Sequence, residues 1–402
     1  VNLRSGDAPL PVPGFTAAGL ACGIKKHGGP DLMLIASETP AAFTGVFTRN
    51  VVQAAPVTLT RQVAAAGACR AVVANSGNAN ACTGPQGLED ARATQRLVGG
   101  ALGVPAEQVA VCSTGVIGEP LPMDRLAPGI PLAAGALSAD GWEDAAEAIR
   151  TTDTRAKCHA GTVEADGRVL TVTGIAKGSG MIHPDMATML AFLATDAPVA
   201  PGDLKTLLAR TVEATFNRIT VDGDTSTNDC VLLLAGGRAG GPALAPDRPG
   251  WDGFAALVRR VCDALATAIV ADGEGATKVV TVSVRGLPTD AEALKVARQV
   301  ATSSLVKTAL FGADPNWGRL LSAAGQAGVP FDPEAASVTI GIAPLVRDGA
   351  HLGPEAEAAA AKVMATTAYP ILLELGNGPG TASVRTCDLS YDYVRINADY
   401  RS

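Results

Sequence analysis

The sequence predicts an α/β fold on three observations. Short apolar runs stop at glycine-rich loops, apolar residues recur elsewhere at helical spacing, and a few stretches alternate in the manner of half-buried strands. Ala71-Val-Val-Ala-Asn75 and Val109-Ala-Val-Cys112 are runs of the first kind. Leu170 and Val172 alternate with Thr171 and Thr173 just ahead of a glycine pair. Thr188 to Ala194 is apolar at nearly every position, which predicts a strand buried on both faces in a layered sheet. Leu204, Leu207, Leu208 and Phe216 predict a helix over 203–216. Gly236 to Pro249 is rich in glycine and proline and reads as a long surface loop. Phe254, Leu257, Val258, Val261, Leu265 and Ile269 predict an amphipathic helix over 252–271. Lys278, Val280, Val282 and Val284 alternate with Val279, Thr281, Ser283 and Arg285, as in a strand with one buried face. Arg285-Gly-Leu-Pro288 closes that strand and suggests a boundary near 280–288.

Composition narrows the function. The 402 residues are 47% hydrophobic and 18% charged, enough for a large core and two or three domains. A net charge of −7 and the lack of any Lys/Arg cluster argue against nucleic acid as a partner. The opening residues carry Arg4, Asp7, Pro9, Pro11 and Pro13 with no apolar core, so no signal peptide is expected. No apolar run reaches the roughly 18 residues that a membrane span needs. A cytoplasmic enzyme is the expectation. The eight cysteines form no C-x-x-C pair and are expected to be reduced and mostly buried. The four histidines, His159 and His183 among them, lack metal-ligand spacing, so no metal is expected.

The segment from Lys177 to Asp196 carries the chemistry. It runs through Gly178, Gly180, His183 and Pro184 to an Ala187-Thr188 bond, then directly into an apolar strand. Thr188 could cut the chain at its own amide and become a new N-terminus, its hydroxyl the nucleophile and its α-amine the base. Such an amine has a reference pKa of about 7.7–8 and is partly neutral near physiological pH. Gly178 and Gly180 permit unusual dihedrals upstream, and Pro184 stiffens the approach. Taken alone, Ala-Thr is a common dipeptide in a buried strand. Cys112-Ser-Thr114-Gly115-Val-Ile-Gly118 reads as a strand followed by a turn, able to aim a hydroxyl and an N–H at an oxyanion or to serve as an ordinary strand-to-helix turn. Lys177 and Glu274 could hold a carboxylate and an ammonium; on sequence alone each is more simply a solvated loop charge. Gly178-x-Gly180 is no dinucleotide fingerprint, because the third glycine position holds His183 and a strand-like segment follows.

These pieces resemble the ornithine acetyltransferase/glutamate N-acetyltransferase family of arginine biosynthesis along essentially the whole chain. The strings that carry the resemblance are Gly45–Asn50, Asn75–Gly84, Cys112–Gly118, Thr151–Asp153, Lys177–Asp196, Asp222–Asp229, Asp272–Lys278 and Leu310–Arg319. The resemblance implies an αββα sandwich, related to self-processing aminopeptidases, with a smaller C-terminal α/β domain. It implies cleavage between Ala187 and Thr188, so that 1–187 and 188–284 build the sandwich and 285–402 forms the smaller domain, its tail returning to the site. It implies ping-pong transfer of acetyl from N2-acetylornithine to glutamate through Thr188, with Thr114 and Gly115 as oxyanion hole. Lys177, Thr188, Glu274, Asn397 and Ser402 match the substrate-binding positions, together with Thr151 or Thr152. On composition alone the last residues, 395–402, look instead like a frayed tail. The partners implied are small amino acids and a second copy of the cut pair in an α2β2 assembly. No resident cofactor is implied; acetyl-CoA as a further acetyl donor stays open. Two other readings compete: a self-processed N-terminal-threonine amidase or aminopeptidase that uses water, and a glycine-rich binding protein with no chemistry at Thr188.

Overall fold

A computed structural model describes residues 3–183 and 189–399 of the chain. In order, its elements are β1 (Leu3–Gly6), β2 (Phe15–Leu20), β3 (Leu32–Phe47), α1 (Ala55–Ala66), β4 (Ala68–Asn78), α2 (Gly84–Leu102), β5 (Val109–Val116), α3 (Met123–Gly135) and α4 (Trp142–Ala148). There follow β6 (Lys157–Ala165), β7 (Arg168–Lys177), β8 (Leu190–Thr195), α5 (Pro201–Ala214), β9 (Cys230–Ala235) and α6 (Trp251–Ala271). The remainder comprises β10 (Val279–Gly286), α7 (Asp290–Thr302), α8 (Ser304–Phe311), α9 (Trp317–Gly325), β11 (Ser337–Ile340), β12 (Ala343–Arg347), β13 (Ala350–His351), α10 (Pro354–Met364), β14 (Ala368–Glu374), β15 (Gly378–Cys387) and α11 (Tyr391–Asp399).

The first sheet has the order β1-β6-β7-β8-β9-β3-β4-β5, with β2 also on β3. The long β3 explains how one sheet makes two layers. Its first part, Leu32–Ser37, pairs with β2, and its last part, Ala42–Phe47, pairs with β9. Its register against β4 shifts between Ala36 and Ala41. Side chains alternate across the layers as strand geometry requires. Met33, Ile35, Val72, Ala74, Phe192, Leu232 and Leu234 meet in the middle of the sandwich. Leu32, Leu34, Val73 and Val111 face outward onto α2 and α3. Leu193, Val231 and Leu233 face the opposite outer layer, α5 and α6. The result is an αββα sandwich. Every residue of β8 and of β9 is buried, which explains their unbroken apolar sequences.

A second sheet, β13-β12-β11-β14-β10-β15, takes helices α7 to α10 against one face. Its other face is polar around the Ser283–Ser383 and Arg285–Glu374 pairs. β10 belongs here, paired with β14 and β15, although the sequence expectation kept residues up to 284 with the first unit. The alternation that revealed the strand, with Val280, Val282 and Val284 buried, says nothing about which sheet receives it.

The helix expected over 252–271 is α6, and that over 203–216 is α5 followed by a short turn at Phe216–Arg218. All eight cysteines are free thiols; Cys112 and Cys230 stand with their sulfurs 3.6 Å apart in the sandwich core. Among the described residues no helix is long and apolar enough to cross a membrane.

Candidate active site

The site forms where β7, the turn after α6, the segment before β9 and α11 converge. β7 ends at Lys177, and Gly178 to His183 leave the sheet toward Ala187-Thr188, a pair that lies outside the described residues. Lys177 is no loop charge: it is 3% exposed, and Glu274 is 7% exposed. Sequence could not show this, because both flank glycine turns that usually reach solvent. Gly180 packs directly on Glu274, where a Cβ would come within 2.5 Å of the carboxylate. The Glu274 N–H donates to the Ser179 carbonyl at 3.0 Å. Asn397 of α11 donates from Nδ2 to Glu274 Oε2 at 2.7 Å. The C-terminal helix, described through Asp399, therefore contacts Glu274 by way of Asn397. Ser402 lies outside the described residues.

A buried charge network that sequence reading missed underlies this wall. Lys157 Nζ donates to Asp153 Oδ1 at 2.6 Å and to Asp272 Oδ2 at 2.5 Å. Asp153 also accepts from Gly178 N at 2.7 Å and Thr151 N at 3.0 Å, and faces Lys177 Nζ at 4.0 Å. Burial alone would raise the Asp153 carboxyl; the Lys177 and Lys157 charges beside it overcome that and hold it below the usual range. Burial pushes the Lys177 ammonium down, and Asp153 opposes the shift. The available signal was Lys157 four residues after Asp153, in a chain with few clustered charges.

Upstream of the Ala187-Thr188 pair the backbone is held in an unfavourable form. Met181 has φ 53°, a left-handed value that is rare for a side chain of this kind. Asp222 clamps it, accepting from Met181 N at 2.6 Å and Ile182 N at 2.9 Å. Burial pushes the Asp222 carboxyl up to about 6. On the downstream side Asp229 Oδ1 accepts from Met189 N at 2.8 Å.

Thr114 and Gly115 sit at the end of β5. The strand does not stop at Cys112 as expected; it continues through Val116, because β4 continues beside it in parallel to Asn78. Gly115, at φ 133°, is obligatory, since a Cβ there would lie 2.4 Å from the Gly77 carbonyl carbon. Asn228 Nδ2 donates to the Ser113 and Ala79 carbonyls at 2.8 and 2.7 Å, tying this strand end to the segment that carries Asp229. A cleft of about 520 Å³, bordered by Gly77, Val116, Arg150, Thr151 and Asp399, opens beside it. Thr151 borders this cleft, whereas Thr152 is not among its lining residues. His159 pairs with Asp7 at 2.8 Å, and His183 Nδ1 lies 3.4 Å from Thr220 Oγ1. Among the described residues no group of three or more His, Cys, Asp and Glu is placed to hold a metal.

With this geometry in view, the comparisons with known proteins decide the family. The ArgJ family pattern matches residues 16–402. The chain belongs to the ArgJ family. The arginine biosynthesis bifunctional protein ArgJ of Geobacter sulfurreducens is 49% identical over 97% of this chain and 100% of its own length. Its namesake from Symbiobacterium thermophilum is 50% identical over 97% of both chains. A crystal structure of the ArgJ protein from Bacillus halodurans is 44% identical, with a TM-score of 0.50, and covers 52% of this chain and 98% of that one. ArgJ membership makes the chain an enzyme, an acetyltransferase of arginine biosynthesis, and sets aside the binding-protein reading.

Proposed function

We propose that this ArgJ-family acetyltransferase cuts itself between Ala187 and Thr188 and then carries acetyl from N2-acetylornithine to glutamate on the Thr188 hydroxyl. One observation carries the reading: Lys177 and Glu274, opposite in charge and both buried, border the Gly178–Gly180 segment that leads to that bond, Lys177 directly before Gly178 and Glu274 packed on Gly180. Buried charges destabilise a fold unless something compensates them. A substrate bearing both a carboxylate and an ammonium group supplies complementary charges, and both amino acids qualify.

In this scheme Thr188 Oγ attacks the acetyl carbonyl, and Thr114 and Gly115 take the developing oxyanion. Ornithine leaves, glutamate enters, and its α-amine attacks the acetyl ester; the covalent stage divides one hard transfer into two easier steps. Lys177 holds the substrate carboxylate and Glu274 the ammonium, with Asn397 fixing Glu274. The threonine role falls to Thr151 or Thr152; the Thr151 N–H donates to Asp153, the carboxylate that faces Lys177. Self-cleavage is supported by the strained Met181 and by the Bacillus halodurans chain, matched nearly end to end yet spanning only 52% of this one. Residues 1–187 and 188–402 would remain together, and two such pairs would form the α2β2 particle. Acetyl-CoA as a second donor would give the bifunctionality that the relatives' names print.

Intact mass under denaturing conditions, beside acetyl-exchange assays, tests the reading. Wild type is expected as two species, ending at Ala187 and beginning at Thr188, and active. Thr188→Ala is expected as one species with no transfer. A full-length, active wild type would overturn it, and acetate release outrunning transfer to glutamate would favour the amidase.

A further inference from the structure

Lys177 and Glu274 reach the site from different elements, one at the end of β7 and the other in the turn after α6. Two charges carried on separate elements need a common support if the distance between them is to match a substrate.

We infer that Lys157 is the positioning residue that sets the spacing of Lys177 and Glu274, and with it the fit of a substrate bearing both a carboxylate and an ammonium group. The inference rests on the substrate-binding reading above. Lys157 opens β6, and its side chain is 1% exposed. Its one ammonium bridges two buried carboxylates, Asp153 Oδ1 at 2.6 Å and Asp272 Oδ2 at 2.5 Å. Each carboxylate is tied onward to one of the two charged residues assigned to the substrate. On one side, Asp153 Oδ1 accepts from Gly178 N at 2.7 Å, directly after Lys177, and Asp153 Oδ2 stands 4.0 Å from Lys177 Nζ. On the other, Asp272 lies in the same turn as Glu274, and its carbonyl accepts from the Ser179 hydroxyl at 2.6 Å. The Ser179 carbonyl in turn accepts from Glu274 N at 3.0 Å. Gly178 and Ser179 are chain neighbours, so these bonds close a ring: Lys157, Asp153, Gly178-Ser179, the Asp272–Glu274 turn, and back to Lys157. Thr154 ties the same two walls again, its N–H donating to Asp272 Oδ2 at 3.0 Å and its hydroxyl to Oδ1.

Stability alone does not account for an ammonium at this place. The desolvation cost of a buried ion pair offsets much of its attraction, and an apolar side chain of similar volume often serves a fold as well. What the ring supplies is geometry. Without the Lys157 charge, two buried carboxylates aimed at one point repel each other, and the walls that carry Lys177 and Glu274 lose their common support.

The test is steady-state acetyl transfer by wild type, Lys157→Met and Lys177→Ala, matched in cleavage state by intact mass, with melting temperatures alongside. Methionine keeps most of the side-chain length and removes the charge. Lys157→Met is expected to raise KM for acetylornithine and for glutamate about 10-fold or more, with kcat within about threefold of wild type. That is the pattern of lost binding common to ground and transition states. A lysine that served the fold alone would lower the melting temperature and the active fraction and leave KM of the surviving enzyme unchanged, a result that overturns the inference. Lys177→Ala separates the inference from the reading beneath it. KM raised in Lys177→Ala but not in Lys157→Met removes the brace alone; KM unchanged in Lys177→Ala removes both. Should Lys157→Met fail to fold or to mature, Asp272→Asn, which leaves the Lys157–Asp153 pair in place, decides. KM raised about 10-fold in that folded variant supports the brace, and wild-type KM refutes it.

Discussion

Lys177 illustrates how much of the site a single residue type can hide. Its position at the end of an alternating strand was readable, but its burial was not, because the burial depends on Asp153 and Glu274, distant in sequence. The expected cost of losing it follows from its proposed job. A hydrogen bond to a charged group contributes about 1.5–3 kcal/mol, so Lys177→Ala should raise KM for acetylornithine and glutamate about 10- to 100-fold. Steady-state kinetics on both substrates checks this, and unchanged values for both would remove Lys177 from substrate binding. Asp222 makes a prediction of another kind. Its carboxyl is raised to about 6 from the ordinary 3.8 by burial, with Asp224 and the Tyr393 hydroxyl also facing it. A raised value means the folded chain holds a proton that the unfolded chain has already released. This contribution to stability is fully present below about pH 4 and is lost as pH rises through about 6, by about 3 kcal/mol at the upper limit. Thermal melts at pH 4.5 and 7.5 should therefore differ less in Asp222→Asn than in wild type; parallel shifts would show that Asp222 does not titrate in this window.

At the scale of elements, local pattern was a good guide where one strand or helix buries its own face. α6 was legible from its helical periodicity and β8 from its unbroken apolar run. β5 was misread at its end because its continuation past Cys112 is a property of the pair: β4 supplies the hydrogen bonds, and Gly115 the close approach. α11 was ambiguous for a similar reason. Its composition is that of a tail, whereas Asn397 bonds Glu274, Tyr393 faces Asp222 and Gly275 packs on its first turn, contacts that composition does not predict. Deleting 397–402 should raise KM about 10-fold or more with little loss of melting temperature, since no residue of α11 is buried. Kinetics indistinguishable from wild type would return the segment to the status of a tail.

For the molecule as a whole, strands of both layers of the sandwich were legible in the sequence, but the device that joins them, the register shift within β3, was not. That join matters for what a cut at Ala187-Thr188 does. The second part of β7, Val172–Lys177, before the bond, pairs with β8, after it, and β9 pairs with β3 on the other side. The sandwich core mixes residues from both parts, Ile35 and Val72 with Phe192 and Leu232. Cleavage should thus leave the native mass and melting temperature nearly unchanged, measured by size-exclusion light scattering and calorimetry on wild type and Thr188→Ala. Dissociation of the parts without denaturant would contradict the shared sheet. The interleaving also has a genetic consequence. Halves that fold as one chain and share a core before they are cut have no route to trade partners afterwards. In a cell expressing two alleles, one defective at Lys177 and the other at Glu274, activity should not be recovered by pairing a sound first half with a sound second half from different precursors.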